Sequence, residues 1–160
     1  MIRHARAQDA PWISELWNAV IADTLITFTT TPKSDAEIIK MIASRPVLVL
    51  ENAGGFATYG PFRAGPGYAA TVEHSVMLAP KARGHGHGRG LLQALIKVAR
   101  VDAKHVMVAA ISSANPGAVA FHATLGFVHV GRLQQVGRKA DQWLDLILMQ
   151  KLLNPPDTAV

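Results

Sequence analysis

The sequence predicts a single α/β domain organised around a mixed β-sheet. Its hydrophobic patterns follow the order β-α-α-β-β-β-α-β-α-β-β, and neither an internal repeat nor a linker divides the chain. A length of 160 residues suits one domain with its own hydrophobic core. We therefore expect one domain over residues 1–153, followed by a frayed tail at residues 154–160.

The N-terminal quarter of the chain predicts a strand, a helix and a loop. Ile2–Arg6 alternates in polarity as a short strand does, and Asp9 with Pro11 is typical of a helix start. Apolar residues recur at helical spacing at Trp12, Ile13, Leu16, Trp17, Val20 and Ile21. The β-branched stretch Thr24–Thr31 has no period, which indicates a loop.

A second helix and a hairpin follow. Ser34 and Glu37 have the spacing of a capping box, and this helix is expected to end before Pro46. A hairpin and a Pro/Gly loop are predicted at Val47–Leu50, Asn52–Gly55, Phe56–Tyr59 and Pro61–Gly67.

The second half alternates strands and helices. Ala70–Leu78 predicts a strand, Leu91–Arg100 a helix, and His105–Ile111 a strand covered on both faces. Asn115 and Pro116 are typical of a helix start, and that helix is expected to stop at Gly126. The last two strands and the turn between them are predicted at Phe127–Leu133, Trp143–Leu153 and Gly137–Ala140.

A glycine-rich segment at Pro80–Leu92 joins the predicted strand and helix at the centre of the chain. Glycines let backbone N–H groups approach a ligand closely, and a helix N-terminus attracts negative charge. No Lys-Ser/Thr pair follows the glycines, as a Walker loop requires, and the spacing of a dinucleotide fingerprint is missing. The segment therefore predicts a pyrophosphate site of another kind.

Composition restricts the classes of function. The chain has no cysteine, which excludes disulfides and a cysteine nucleophile and favours a reducing cytoplasm. The net charge is +5, but the basic residues are scattered, so we expect no nucleic-acid partner. No apolar run reaches the length of a membrane span, so we expect no membrane partner either. His85 and His87 stand in a glycine loop without a nearby carboxylate, and no metal site is expected.

Glu73 is the leading candidate for a general base. It lies in the middle of the predicted strand Ala70–Leu78, on the same face as Ser75 and Met77. Partial desolvation of a carboxylate raises its pKa towards the range useful to a base. The alternative is a structural carboxylate in an ion pair or on a wet sheet face.

The motif Arg-x-x-Gly-x-Gly, formed by Arg83, Gly86 and Gly88, resembles the coenzyme A loop of the GCN5-related N-acetyltransferases (GNAT). Three further stretches resemble the family's phosphinothricin and methionine sulfoximine acetyltransferase branch. They are Thr71–Val76, Trp143–Leu146 and the segment from Asn115 to Gly126-Phe127. The resemblance implies a GNAT fold, with a mostly antiparallel mixed sheet flanked by helices, and acetyl-CoA as cosubstrate.

The resemblance also implies roles for individual residues. Glu73 would be the base, and His122 would protonate the thiolate at a position where many family members have tyrosine. Cofactor contacts are implied for Val76, Met77, Leu78, Arg83, Gly84, His85, Gly86, His87, Gly88 and Asn115. Acceptor contacts are implied for Arg63, Glu73, His74 and Ser75. The family resemblance and the apolar stretch Leu144–Leu153 indicate a homodimer.

The expected activity is acetyl transfer from acetyl-CoA to the α-amine of a small amino acid or analogue. Phosphinothricin, methionine sulfoximine and methionine sulfone are the favoured acceptors. Without a cysteine, direct attack in a ternary complex is expected. Two alternatives stay open: acetylation of a protein N-terminus, a polyamine or another amine, and a non-catalytic acyl-CoA-binding regulatory domain.

Overall fold

The computed structural model describes residues 1–52 and 54–154. The predicted turn residue Ala53 and the tail residues 155–160 lie outside the described residues, and the division into residues 1–153 and a tail stays a prediction. The strands are β1 Ile2–His4, β2 Val47–Leu50, β3 Gly55–Pro61, β4 Thr71–Leu78, β5 Val106–Ser112, β6 Val128–Lys139 and β7 Gln142–Leu152. The helices are α1 Ala10–Asp23, α2 Asp35–Ser44, α3 His87–Val101 and α4 Pro116–Ala123.

The strands form one seven-stranded sheet in the order β1-β2-β3-β4-β5-β7-β6. Every neighbouring pair is antiparallel except β4 and β5, which run parallel because α3 crosses from one to the other. The predicted mixed, mostly antiparallel sheet is confirmed.

Helices cover both faces of the sheet. Leu91, Leu92 and Leu95 of α3 are fully buried on one face, where they join the larger core cluster. Ile13 of α1 and Ile38 of α2 belong to a smaller cluster on the other face. The capping box predicted at the start of α2 is present, since the Ser34 and Glu37 side chains bond reciprocally to the backbone.

The helix after the glycine segment begins earlier than expected, at His87 rather than Leu91. Gly86 supplies the N-cap in the left-handed conformation, with φ of 75°. Gly88 in the first turn packs closely against β4, because a Cβ there would lie 3.3 Å from Leu78 Cδ1. The helix therefore begins within the glycine-rich segment and not after it.

The turn predicted at Gly137–Ala140 is wrong in position. Strand β6 continues to Lys139, and Ala140 with Asp141 makes a two-residue turn in which both φ angles are positive. Gly137 lies within β6. A side chain there would collide with the Phe28 ring, because a Cβ would lie 2.5 Å from Phe28 Cδ2. The glycine there admits an aromatic ring and does not form the turn.

Candidate active site

A cleft opens in the middle of the sheet where β4 and β5 part. The two strands pair over only three residues each, from Thr71 with Val106 to Glu73 with Val108. Beyond this point β4 pairs only with β3, and β5 pairs only with β7. The backbone of Val76, Met77 and Leu78 is therefore hydrogen-bonded to a strand on one side only, and an extended ligand could pair along the other side.

The glycine loop lies at the end of this cleft, between β4 and α3. Gly84 and Gly86 have φ angles of 80° and 75°, and a Cβ at either would meet no atom within 4 Å. The Arg83 side chain folds back on the strand and donates from Nε to the Leu78 carbonyl at 3.3 Å. An open run of backbone amides at the start of a fifteen-residue helix is suited to a pyrophosphate. His85 and His87 flank it, with their ring centroids 6.0 Å apart.

Asn115 lies just after the end of β5, the strand that parts from β4. It is the N-cap residue of α4, but its side chain makes no capping bond. The Asn115 backbone N–H donates to the Ser112 carbonyl at 2.9 Å, which fixes the residue beside the point where β5 ends. The amide side chain is therefore not used to cap α4.

Glu73 stands at the last residue pair before the strands part. Its side chain is exposed, yet protein around it desolvates the carboxylate enough to raise the pKa. Within the described residues, no cation lies within ion-pair distance of it. Ser75 follows on the same face. The structure therefore gives Glu73 the accessibility and the raised pKa that a base at the cleft needs.

His74 and His122 form a buried pair on the opposite face of β4. The two Nε2 atoms lie 2.9 Å apart, and the rings are 8% and 7% exposed. His74 Nδ1 donates to the Val108 carbonyl at 3.0 Å, and His122 Nδ1 donates to the Ala118 carbonyl at 2.6 Å. Sequence patterns gave no indication of this contact, because it joins β4 to α4.

The proton count of the histidine pair has a chemical consequence. Both Nδ1 atoms face carbonyls, which only accept, so each neutral ring keeps its single proton on Nδ1. An additional proton has one place, between the two Nε2 atoms. Burial lowers the pKa of both His74 and His122, which disfavours this additional proton at neutral pH. The His74 side chain contacts His122 and lies on the face of β4 opposite Glu73 and Ser75.

Arg63 lines a cavity at the N-terminal end of β4. The volume of the cavity is about 560 Å³. The Arg63 guanidinium lies 5.8 Å from the centroid of the Tyr68 ring. Thr71 and Val72 also line the cavity, and they belong to β4, the strand that contains Glu73. Arg45, which no sequence pattern indicated as a site residue, lines the same cavity from the end of α2.

The loop between α1 and α2 is tied to the far side of the cleft. Ser112 Oγ at the end of β5 donates to the Leu25 carbonyl at 2.6 Å. Lys139 Nζ of β6 donates to the Thr27 carbonyl at 2.9 Å, and the Phe28 ring rests on Gly137. These contacts hold the segment Thr24–Thr31 in a defined position beside β5 and β6.

Residues 1–52 and 54–154 offer neither a metal cluster nor a membrane span. They contain no cluster of three or more His, Asp or Glu side chains able to hold a metal ion. No helix among them has the length and the apolar character needed to cross a bilayer.

Parted parallel strands, a glycine loop at a helix start and a carboxylate at the fork define the site of an acyl-CoA-dependent acyltransferase. The sequence matches the acetyltransferase (GNAT) family over residues 14–127, and the chain belongs to this family. The family and fold predicted from the sequence are thus confirmed, and the protein is an N-acetyltransferase.

Similar proteins support the same assignment. The chain is 40% identical to an L-methionine sulfoximine/L-methionine sulfone acetyltransferase of Pseudomonas aeruginosa, over 99% of this chain and 97% of that protein. It is 42% identical to the L-amino acid N-acyltransferase MnaT of Escherichia coli, over 96% and 94% of the two chains. A phosphinothricin acetyltransferase of Sinorhizobium meliloti, solved in complex with acetyl-CoA, superposes with a TM-score of 0.90 at 32% identity. That alignment covers 96% of this chain and 88% of the other.

Proposed function

We propose that this enzyme transfers the acetyl group of acetyl-CoA to the α-amine of a small amino acid or analogue. Phosphinothricin, methionine sulfoximine and methionine sulfone are the expected acceptors, because similar proteins bear those names. The observation that carries the proposal is the position of Glu73, which has a raised pKa and stands where β4 and β5 part.

The cofactor roles follow from the open strand edge and the glycine loop. The pantetheine arm pairs with the free backbone edge of Val76, Met77 and Leu78, and Asn115 reaches the arm from the other side of the cleft. The pyrophosphate binds to the loop amides in the segment Arg83, Gly84, His85, Gly86, His87 and Gly88. The thioester then lies near Glu73, at the inner end of the cleft.

Acetyl transfer proceeds by direct attack. Glu73 accepts a proton from the ammonium of the acceptor, and the neutral amine attacks the thioester carbonyl to form a tetrahedral oxyanion. A backbone N–H near Met77 or Leu78 stabilises that oxyanion. Ser75 lines the acceptor pocket on the same face as Glu73, and Arg63 binds the acceptor carboxylate through its planar guanidinium.

The leaving thiolate takes its proton from His122. That proton would lie between the two Nε2 atoms, and the lowered pKa of both rings means that only a small fraction of the pairs holds it at neutral pH. Delivery requires the His122 ring to leave one of its two contacts, since both nitrogens are engaged in the structure. His74 acts behind His122 in this scheme and not as a contact to the acceptor.

The enzyme is proposed to be a cytoplasmic homodimer. Strand β6 is one of the two edges of the sheet and exposes the apolar side chains of Val128, Val130, Leu133 and Val136, beside Trp143, which is 58% exposed. Such an uncovered edge favours contact with a second copy. The contact predicted for Leu144–Leu153 moves to this edge, because Leu144, Ile147 and Met149 of β7 are buried in the protein's own sheet.

The proposal is tested by thiol release from acetyl-CoA with a panel of amines. The panel contains free amino acids, methionine sulfone, methionine sulfoximine, phosphinothricin, a polyamine and a short peptide, with Arg63→Ala in parallel. Turnover confined to the small amino-acid analogues, with Arg63→Ala mainly raising KM, is the expected result. Turnover of the peptide or the polyamine instead would show another acceptor class. Tight CoA binding without turnover on any amine would indicate a binding domain.

A further inference from the structure

Arg45, the residue that follows α2, lies against the backbone of β3. Its Nη1 atom occupies the space in which Gly60 would carry a Cβ, so any larger residue at position 60 would displace the guanidinium. Gly60 is buried and its backbone conformation is ordinary for a strand. Position 60 therefore needs a glycine because the Arg45 guanidinium packs on its backbone.

This contact brings the Arg45 charge near the proposed base. Gly60 and Glu73 are directly paired across β3 and β4, so their side-chain positions share one face of the sheet. Cβ positions in such a pair are about 5 Å apart, which places the guanidinium within about 8 Å of the Glu73 Cβ. An amino acid whose amine meets Glu73 can therefore reach Arg45 with a group on its side chain.

The Arg45 charge is not compensated by the protein. Within residues 1–52 and 54–154, no carboxylate lies within ion-pair distance of it. The side chain is half-buried, and desolvation lowers its pKa with no nearby anion to offset the effect. A partly desolvated cation without a partner is costly, and an anionic ligand would remove that cost.

The cavity beside β4 joins Arg45 to Arg63. Its two other charged side chains are already engaged: Asp102 accepts a hydrogen bond from the Tyr59 hydroxyl, and Lys104 Nζ donates to the Ala69 carbonyl at 2.9 Å. The two guanidiniums are therefore the cations of the cavity that make no hydrogen bond within the described residues. A volume of about 560 Å³ accommodates the carboxylate and the side chain of a small amino acid, and Glu73 follows the lining residue Val72 just outside the cavity.

We propose that Arg45 determines acceptor specificity by binding an anionic oxo group on the acceptor side chain, while Arg63 binds the α-carboxylate. This inference rests on the proposed function and narrows its substrate class to dianionic amino acids, such as those with a phosphinate, phosphonate or carboxylate head. A neutral sulfone presents the same oxygen geometry without the charge, so it is the weaker acceptor. Guanidinium and phosphinate form the stronger, charge-assisted pair.

The test compares phosphinothricin, which has an anionic head, with methionine sulfone, which has a neutral one. We would measure kcat/KM by thiol release for the wild type, Arg45→Met, Gly60→Ala and the control Lys40→Met. Lys40 is exposed on α2, so its replacement removes an equal charge outside the cavity. Gly60→Ala keeps the Arg45 charge and displaces only its position.

We expect Arg45→Met to lower kcat/KM for phosphinothricin at least about tenfold, as loss of a charged hydrogen-bonded pair does. The loss for methionine sulfone should be threefold or smaller, and Gly60→Ala should change the preference in the same direction. Lys40→Met should leave both values unchanged, and the affinity for acetyl-CoA should stay constant throughout.

Equal losses on the two acceptors, or none, would overturn the role of Arg45 and leave the proposed function standing. A wild type that turns over neither these acceptors nor any other small amino acid would instead refute the proposed function itself. The two failures are therefore distinguishable.

Discussion

Glu73→Gln tests the proposed base most directly. The substitution keeps the size and polarity of the side chain and removes its ability to accept a proton at neutral pH. A positioned general base contributes about a hundredfold to ten-thousandfold, so we expect kcat to fall by that factor. This corresponds to about 3–5 kcal/mol of transition-state stabilisation. KM for acetyl-CoA should change little, because the glycine loop that is proposed to bind the pyrophosphate lies at the other end of the cleft.

The pH dependence makes the Glu73 test sharper. Desolvation raises the pKa of Glu73, so its basic form is lost as pH falls through a value above 4.5, and kcat/KM should fall with it. Thiol release followed across this range should show an acidic limb in the wild type that is missing in Glu73→Gln. Because the raised pKa means that ionisation of Glu73 is less favourable in the folded state, the variant should unfold no more easily than the wild type. A variant that retains kcat within about threefold would refute the assignment of Glu73 as base.

Three other predictions concern stability and cofactor binding. Asp9 is buried, accepts two bonds from the Arg3 guanidinium at 2.8 and 3.0 Å, and has a lowered pKa, so it stabilises the fold above about pH 4 and less below. Asp9→Ala should cost about 3 kcal/mol in urea unfolding at pH 7, and a loss below about 1 kcal/mol would contradict this account. Gly86→Ala forces a side chain into positive φ and should raise the Kd of acetyl-CoA, measured by calorimetry, whereas the control Gly117→Ala should not; equal Kd values would refute the loop assignment. The lowered pKa of His74 should make the wild type lose stability as pH falls below 6.5, where the unfolded chain gains a proton first, and His74→Phe should flatten that slope; an unchanged slope would contradict burial of a neutral ring.

Local sequence signals predicted the part of the site that is continuous in the chain. The strand β4, the glycine loop and α3 follow one another directly, so hydrophobic period and glycine spacing were enough to place Glu73 on the strand that leads into the glycine loop. The same signals misjudged Gly137, because a glycine followed by the polar residues Arg138 and Lys139 is typical of a turn. A glycine is needed at position 137 because the Phe28 ring packs there, and Phe28 is more than a hundred residues away in the sequence.

The parts of the site that depend on tertiary contact could not be predicted in this way. His74 and His122 are 48 residues apart, and their pairing depends on how α4 packs on β4. Arg45 follows a helix and precedes a proline, which reads as a helix end exposed to solvent. Only the register that sets Gly60 beside Glu73 shows that this charge lies near the proposed base.

The half-paired strand at Val76, Met77 and Leu78 affects how the enzyme tolerates mutation. A ligand that pairs with peptide groups does not depend on the identity of the side chains. Conservative replacements at these three positions should therefore leave binding of that ligand unchanged as long as the main-chain contacts persist. Proline is the exception, because it removes a donor and fixes φ. The proposed binding of the acyl donor at this strand therefore depends on the path of the backbone more than on residue type.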